Sequence, residues 1–88
     1  ILFILFVFIF TTENLHSQID EIWKKNIDKS DEFLSKKDYK NALDFAFKSL
    51  ADVKKTFGEK NEREFNVLGK IGKIYYLNGD YQKAIEYY

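Results

Sequence analysis

Asp38-Tyr-Lys-Asn-Ala-Leu-Asp-Phe45 returns 42 positions later as Asp80-Tyr-Gln-Lys-Ala-Ile-Glu-Tyr87. Asp, Tyr and Ala are identical in the two stretches, and Leu/Ile, Asp/Glu and Phe/Tyr are near-equivalents. At the same offset Phe33 meets Tyr75, Trp23 meets Phe65, and the small Ser30 meets Gly72. A fixed period of this kind marks an array in which one supersecondary unit stacks on the next, because each unit leaves an apolar face that only a neighbour covers.

Within each unit the apolar spacing is helical. Ile19, Ile22, Trp23, Ile27, Phe33 and Leu34 line one face of a first predicted helix, over about 18–36. Tyr39, Ala42, Leu43, Ala46, Leu50, Val53 and Phe57 step by three and four through a second, 39–57. Phe65, Leu68, Ile71, Gly72 and Tyr75 define a third, 62–78, and Tyr81, Ala84, Ile85 and Tyr88 open a fourth. Gly58 follows Phe57 where a left-handed residue closes a helix, and Asn61 with Glu64 resembles a capping box. Asn78-Gly79-Asp80 reads as a tight turn, with Gly79 supplying positive φ and Asp80 capping the next helix. Asp38 stands in the same place, but Lys36-Lys37 replaces Asn-Gly, so that turn is expected to be more strained or differently shaped. Helices approach closely only where the crossing side chains are small. The expected crossings are Gly72 on Ala84 and Ser30 on Ala42, with Tyr75 and Tyr81 filling the groove beside the first.

Composition narrows the chemistry. The 88 residues carry a formal net charge of zero and no basic stripe, which argues against a nucleic-acid partner. There is no Cys, which excludes disulfides, thiolate metal sites and a Cys nucleophile, and the absence of Pro suits uninterrupted helices. The single His, His16, leaves no zinc cluster and no His-dependent triad to build. Gly69-Lys-Ile-Gly72 falls inside a helical period and reads as close packing rather than a phosphate loop. Asp20-Glu21, Asp31-Glu32 and Glu62/Glu64 read as solvated charges on helix faces or in a linker. No catalytic residue, metal site or small-molecule cofactor is expected.

Ile1-Leu-Phe-Ile-Leu-Phe-Val-Phe-Ile-Phe10 is an unbroken apolar run. Ten residues of helix rise only ~15 Å, about half a hydrocarbon core. The run fits the h-region of a secretory signal over 1–17, with Ser17 before the cut and Gln18 as the mature N-terminus. Leu15 is larger than the residue usual two positions before Ser17. An uncleaved membrane anchor, or a buried strand or core helix, are the other readings of this run. A signal begins with Met and a basic region, so the sequence is expected to be truncated at its front. The remainder, 18–88, divides into a first repeat, 18–60, and a second, incomplete one, 61–88, with further repeats expected beyond it.

Leu68 to Tyr88 resembles most of a tetratricopeptide repeat: Gly72, Tyr75, Gly79, Tyr81 and Ala84 fall on the signature positions, with Leu68 where Trp is common. The unit from Trp23 to Phe57 is similar to it more weakly, Ser30 and Lys37 standing for glycines. The usual repeat is about 34 residues, whereas 42 is similar to the longer repeats of kinesin light chains. Similar repeats occur in bacterial proteins that join such arrays to caspase-like CHAT domains or to sensor kinases.

The resemblance implies an all-α stack of antiparallel helix-turn-helix units and a protein-interaction scaffold, and the apolar run, read as a signal, implies export to the periplasm or beyond. It also implies an alternative, a sensor region for a protease or kinase domain lying past residue 88. In such arrays the first helix of each unit lines a concave groove that holds a peptide or partner helix. That places Lys24, Ile27, Asp31, Asn66, Gly69, Lys73 and Tyr76 toward a protein partner. The Lys/Asn pattern with which some relatives clamp a C-terminal carboxylate is not matched at Ile27, Asp31 and Gly69, so that ligand is not expected. Contact with a membrane is expected only through an uncleaved N-terminal segment.

Overall fold

The computed structural model describes residues 21–87, which form four helices and, among the described residues, no strand. They are α1 (residues 21–35), α2 (Tyr39–Phe57), α3 (Glu62–Leu77) and α4 (Tyr81–Tyr87). The bounds of α2 are those its spacing predicts. The first helix stops at residue 35 and α3 at Leu77, because Lys36–Lys37 and Asn78–Gly79 form the turns. The apolar run, the cleavage site after Ser17, Ile19 and Tyr88 lie outside the described residues.

α1 and α2 form an antiparallel hairpin tied by backbone carbonyls. The Ser30 hydroxyl donates to the Ala42 carbonyl at 2.7 Å, and the Ser49 hydroxyl donates to the Trp23 carbonyl at 2.9 Å. Both serines are fully buried. A buried hydroxyl without a partner is costly, so these bonds are what allow polar side chains at a tight crossing. Ser30 on Ala42 is the contact expected from the repeat. In the second hairpin Gly72 and Ala84 are likewise buried.

The sequence repeat is also a repeat of geometry. Phe33 stacks on Phe45 with ring centroids 5.5 Å apart, and Tyr75 stacks on Tyr87 at 5.6 Å. The Asp38 amide donates to the Phe33 carbonyl and the Asp80 amide to the Tyr75 carbonyl, both at 2.9 Å. Each aspartate then accepts from a backbone amide of the next helix, Asn41 and Lys83 respectively, at 3.3 Å. The turn at Lys36-Lys37 therefore has the same shape as its glycine counterpart, and the difference is strain. Lys37 sits at φ 60°, where Gly79 has φ 86°. A left-handed conformation costs a non-glycine residue about 1–2 kcal/mol. Lys37→Gly, which gives part of this back to unfolded-chain entropy, is expected to raise unfolding stability by about 0.5–1 kcal/mol, read as a higher urea midpoint.

Gly58 has φ 80° as expected, but with ψ −172° rather than a left-handed ψ. That region is open essentially to glycine alone. A Cβ at Gly58 would meet nothing within 4 Å, nor would one at Gly69, whose backbone is ordinary helix. The pair separates backbone strain from packing. Gly58→Ala is expected to cost about 1–3 kcal/mol, whereas Gly69→Ala is expected to gain about 0.5–1 kcal/mol; chemical denaturation of the two variants side by side checks both signs.

The capping box at α3 is real but shifted. Asn61 Oδ1 accepts from the Glu64 amide at 3.0 Å, while Glu64 Oε2 accepts from the amide of Lys60 rather than of Asn61. Lys54 Nζ adds an ion pair to Glu64 at 3.9 Å. Glu64 is consequently buried, at 9% exposure, and is not the solvated charge the sequence suggests.

α2 packs on α3, and α3 on α4, so one core runs through both units. Ala46, Leu50 and Val53 of α2 share it with Val67, Ile71 and Ile74 of α3, and Trp23 and Ile27 of α1 join them. Several residues of the predicted apolar faces lie outside it. Phe65, Ile22, Tyr81 and Ile85 are exposed by 62%, 53%, 60% and 76%. α3 is held between α2 and α4, which turns the Val67-Ile71-Ile74 arc inward and Phe65 out. Tyr81 does not fill the groove with Tyr75; it meets Tyr76 edge-on at 5.3 Å, and Tyr87 is the residue that stacks on Tyr75 and reaches Phe47.

Candidate functional site

α1 and α3, the first helices of their units, run beside one another 42 positions out of phase. A groove of about 320 Å³ opens between them, lined by Trp23, Lys24, Ile27, Asp28, Asn66, Val67 and Lys70. Its floor is apolar and fixed: Trp23, Ile27 and Val67 are almost wholly buried members of the core. Their positions follow from helical spacing, since Trp23 and Ile27 stand one turn apart on the inner face of α1. Core packing thus holds the floor rigid without help from a ligand.

The rim is polar and mixed in sign. Lys24, Asp28 and Asn66 are exposed, and Lys70 is half-buried. Lys70 Nζ contacts both Asp31 carboxylate oxygens, at 2.9 and 2.7 Å, and so joins α3 to α1 beside the groove. Exposed pairs of this kind contribute only about 0.2–1 kcal/mol, so this one sets register more than stability. Lys24 Nζ lies 5.9 Å from the centroid of the Trp23 ring. An apolar floor between donors of both walls and one carboxylate can seat an apolar side chain while the rim bonds the backbone that carries it.

Of the residues expected to face a partner, Lys24, Ile27 and Asn66 line this groove. Asp31 stands beside it through Lys70. Gly69, Lys73 and Tyr76 do not line it; Lys73 is exposed, and Tyr76 belongs to a surface cluster with Tyr81. Trp23, Asp28, Val67 and Lys70 line the groove as well and were not among those expected. The signal was present in the repeat, because an offset of 42 sets Lys24 opposite Asn66 and Asp28 opposite Lys70. A wall-to-wall pairing at two successive turns marks the facing strip more surely than a count of threes and fours along one helix.

Neither the comparison with curated proteins nor that with solved structures returned a match. Residues 33–88 match the family model described as tetratricopeptide repeat. The matched stretch runs from the last turn of α1 through α4, more than half of the chain, and the period of 42 residues is consistent with it. On that match, and on the ring stacking and turn hydrogen bonds that recur between the two hairpins, the chain belongs to the tetratricopeptide repeat family.

Proposed function

We propose that the chain is a protein-interaction scaffold whose α1–α3 groove receives a short, extended stretch of a partner polypeptide. Tetratricopeptide repeats in general bind proteins or peptides and are typically non-catalytic. The observation that carries the finer reading is the groove itself, an apolar floor of Trp23, Ile27 and Val67 between the polar walls of Lys24, Asp28, Asn66 and Lys70. One apolar anchor would enter between the helices, and Asn66 and Lys24 would hold the flanking backbone. Lys73 and Tyr76 are not assigned to this site.

The test uses a random peptide library panned on the full chain. Peptides recovered should shift the emission of Trp23, the single tryptophan, and should bind at least about tenfold more weakly to Lys24→Glu or Asn66→Lys, a loss on the scale of one interfacial contact. Lys73→Glu should change little. Peptides insensitive to Lys24 and Asn66, or no recovered peptide at all, would count against the groove.

We further propose that this scaffold works outside the cytoplasm, exported by the apolar run Ile1–Phe10. The length and apolarity of that run support it. N-terminal sequencing of the protein recovered from its native cells should begin at Gln18; a retained apolar segment would mean an anchor instead.

A further inference from the structure

Six asparagines occur in the chain, and only Asn78 is followed by glycine; the others precede Leu15, Ile27, Ala42, Glu62 and Val67. A glycine has no Cβ to shield its nitrogen from the carboxamide before it. Asn78 and Gly79 are both exposed, in the turn between α3 and α4. Such a pair reacts with itself. Once base has taken the Gly79 N–H proton, the nitrogen attacks Asn78 Cγ, a new C–N bond forms, and the side-chain nitrogen leaves as ammonia. Water then opens one of the two C–N bonds of the cyclic imide, giving aspartate or isoaspartate. The net change is one water in and one ammonia out, with no oxidant or reductant.

The folded turn holds this reaction off in two ways. The Gly79 amide donates to the Tyr76 carbonyl at 3.0 Å, which keeps the proton on the nucleophile. Asn78 has φ −79° and ψ −4°, so the Gly79 nitrogen eclipses the Asn78 nitrogen and is turned away from Cβ, where the ring must close. Both restraints depend on α4 staying docked. The Asp80 amide donates to the Tyr75 carbonyl at 2.9 Å, Tyr87 stacks on Tyr75 at 5.6 Å, and Ala84 is buried. In the first hairpin the same turn carries Lys36-Lys37, whose Lys37 amide donates to the Leu34 carbonyl at 2.9 Å, and holds no carboxamide. The chemistry belongs to the second turn alone.

We infer that Asn78-Gly79 is a self-modification site gated by the α3–α4 turn: it reacts when α4 lifts from α3, and its isoaspartate product keeps α4 from docking again. Isoaspartate runs the backbone through an extra methylene between residue 78 and Gly79. That shift carries the Gly79 and Asp80 amides away from the Tyr76 and Tyr75 carbonyls. Either product also sets a carboxylate at the negative end of the α3 dipole, two residues from Asp80. The site is separate from the groove between α1 and α3 and stands whether or not a peptide binds there.

The test incubates the full chain at mildly alkaline pH, folded and in guanidinium, and locates isoaspartate by peptide mapping with isoaspartyl methyltransferase labelling. Residue 78 should be the dominant site in guanidinium, and should react about tenfold or more slowly in the folded chain, where reaction waits on local opening. Tyr87→Ala loses the stack on Tyr75 and should narrow that ratio by about threefold or more. Asp80→Ala, which removes only the α4 cap, should narrow it too, and serves if Tyr87→Ala does not fold. The purified isoaspartate form should unfold at a lower urea midpoint than Asn78→Asp, which has the charge on an ordinary backbone.

Equal rates at residue 78 in the folded and denatured chains would overturn the inference. So would no isoaspartate there in guanidinium, or a ratio that neither loosening variant moves. An isoaspartate form as stable as Asn78→Asp would show that α4 docks again, and would overturn it as well.

Discussion

Ile71→Ala should remove about 2–5 kcal/mol of unfolding free energy, the range for truncating a buried Ile, Leu or Met side chain. Ile71 is fully buried in the middle of α3, in the cluster that joins the two hairpins. A cavity there weakens α2 against α3, so neither hairpin can relax independently to fill it. A domain this small has little stability in reserve, and the variant is expected to be largely unfolded at 37 °C. Urea unfolding followed by circular dichroism measures the loss; a change below about 1 kcal/mol would mean that the stacked core is not what holds the chain together.

Ala42→Trp should have an effect of the same sign for the opposite reason. Ala42 is fully buried, and its carbonyl accepts the Ser30 hydroxyl at 2.7 Å. A large ring at this crossing forces α1 off α2, at a cost of about 1–3 kcal/mol or more. Ser30→Ala is the mild companion, because it removes one hydrogen bond and leaves the crossing open, at a cost of about 0.5–1.5 kcal/mol. Equal losses in the two variants would contradict a steric origin. A near-normal melting temperature in Ala42→Trp would contradict the crossing altogether.

Much of this was legible in the sequence. The bounds of α2, the caps at Asp38, Asn61 and Asp80 and the Ser30–Ala42 crossing followed from the period and from turn chemistry, and the family from the resemblance of Leu68 to Tyr88 to its signature. The misreadings have one cause. Amphipathic spacing shows that a helix has an apolar side, but not how many neighbours share it. α3 has three, α1, α2 and α4, so Val67 and Ile74 went unlisted among its core positions while Phe65 was assigned to them. Tyr81 and Ile85 read as core from the same apolar spacing as Tyr39 and Leu43, which are core-packed; among the described residues no helix lies over Tyr81 and Ile85. Glu64 looked solvated because its partners, the Lys60 amide and the Lys54 ammonium, belong to the linker and to α2. The expected partner strip followed the spacing along α1 and α3 singly, whereas the groove is lined by the pair, so Lys73 and Tyr76 of that strip stand off the groove while Trp23 and Lys70 line it.

The central claim is that the two hairpins stack with α1 beside α3, and carbodiimide coupling tests it most directly. This reagent joins a carboxylate to an amine already in contact, forming an amide with loss of water. Glu32 and Lys36 lie 3.5 Å apart within one stretch of chain and will couple whether or not the hairpins stack, so they report that the reaction worked. Asp31 and Lys70 meet at 2.7 Å only if α3 lies against α1. Mass spectrometry of the digested monomer should find both amides; the Glu32–Lys36 link without the Asp31–Lys70 link would contradict the stack, and the groove with it.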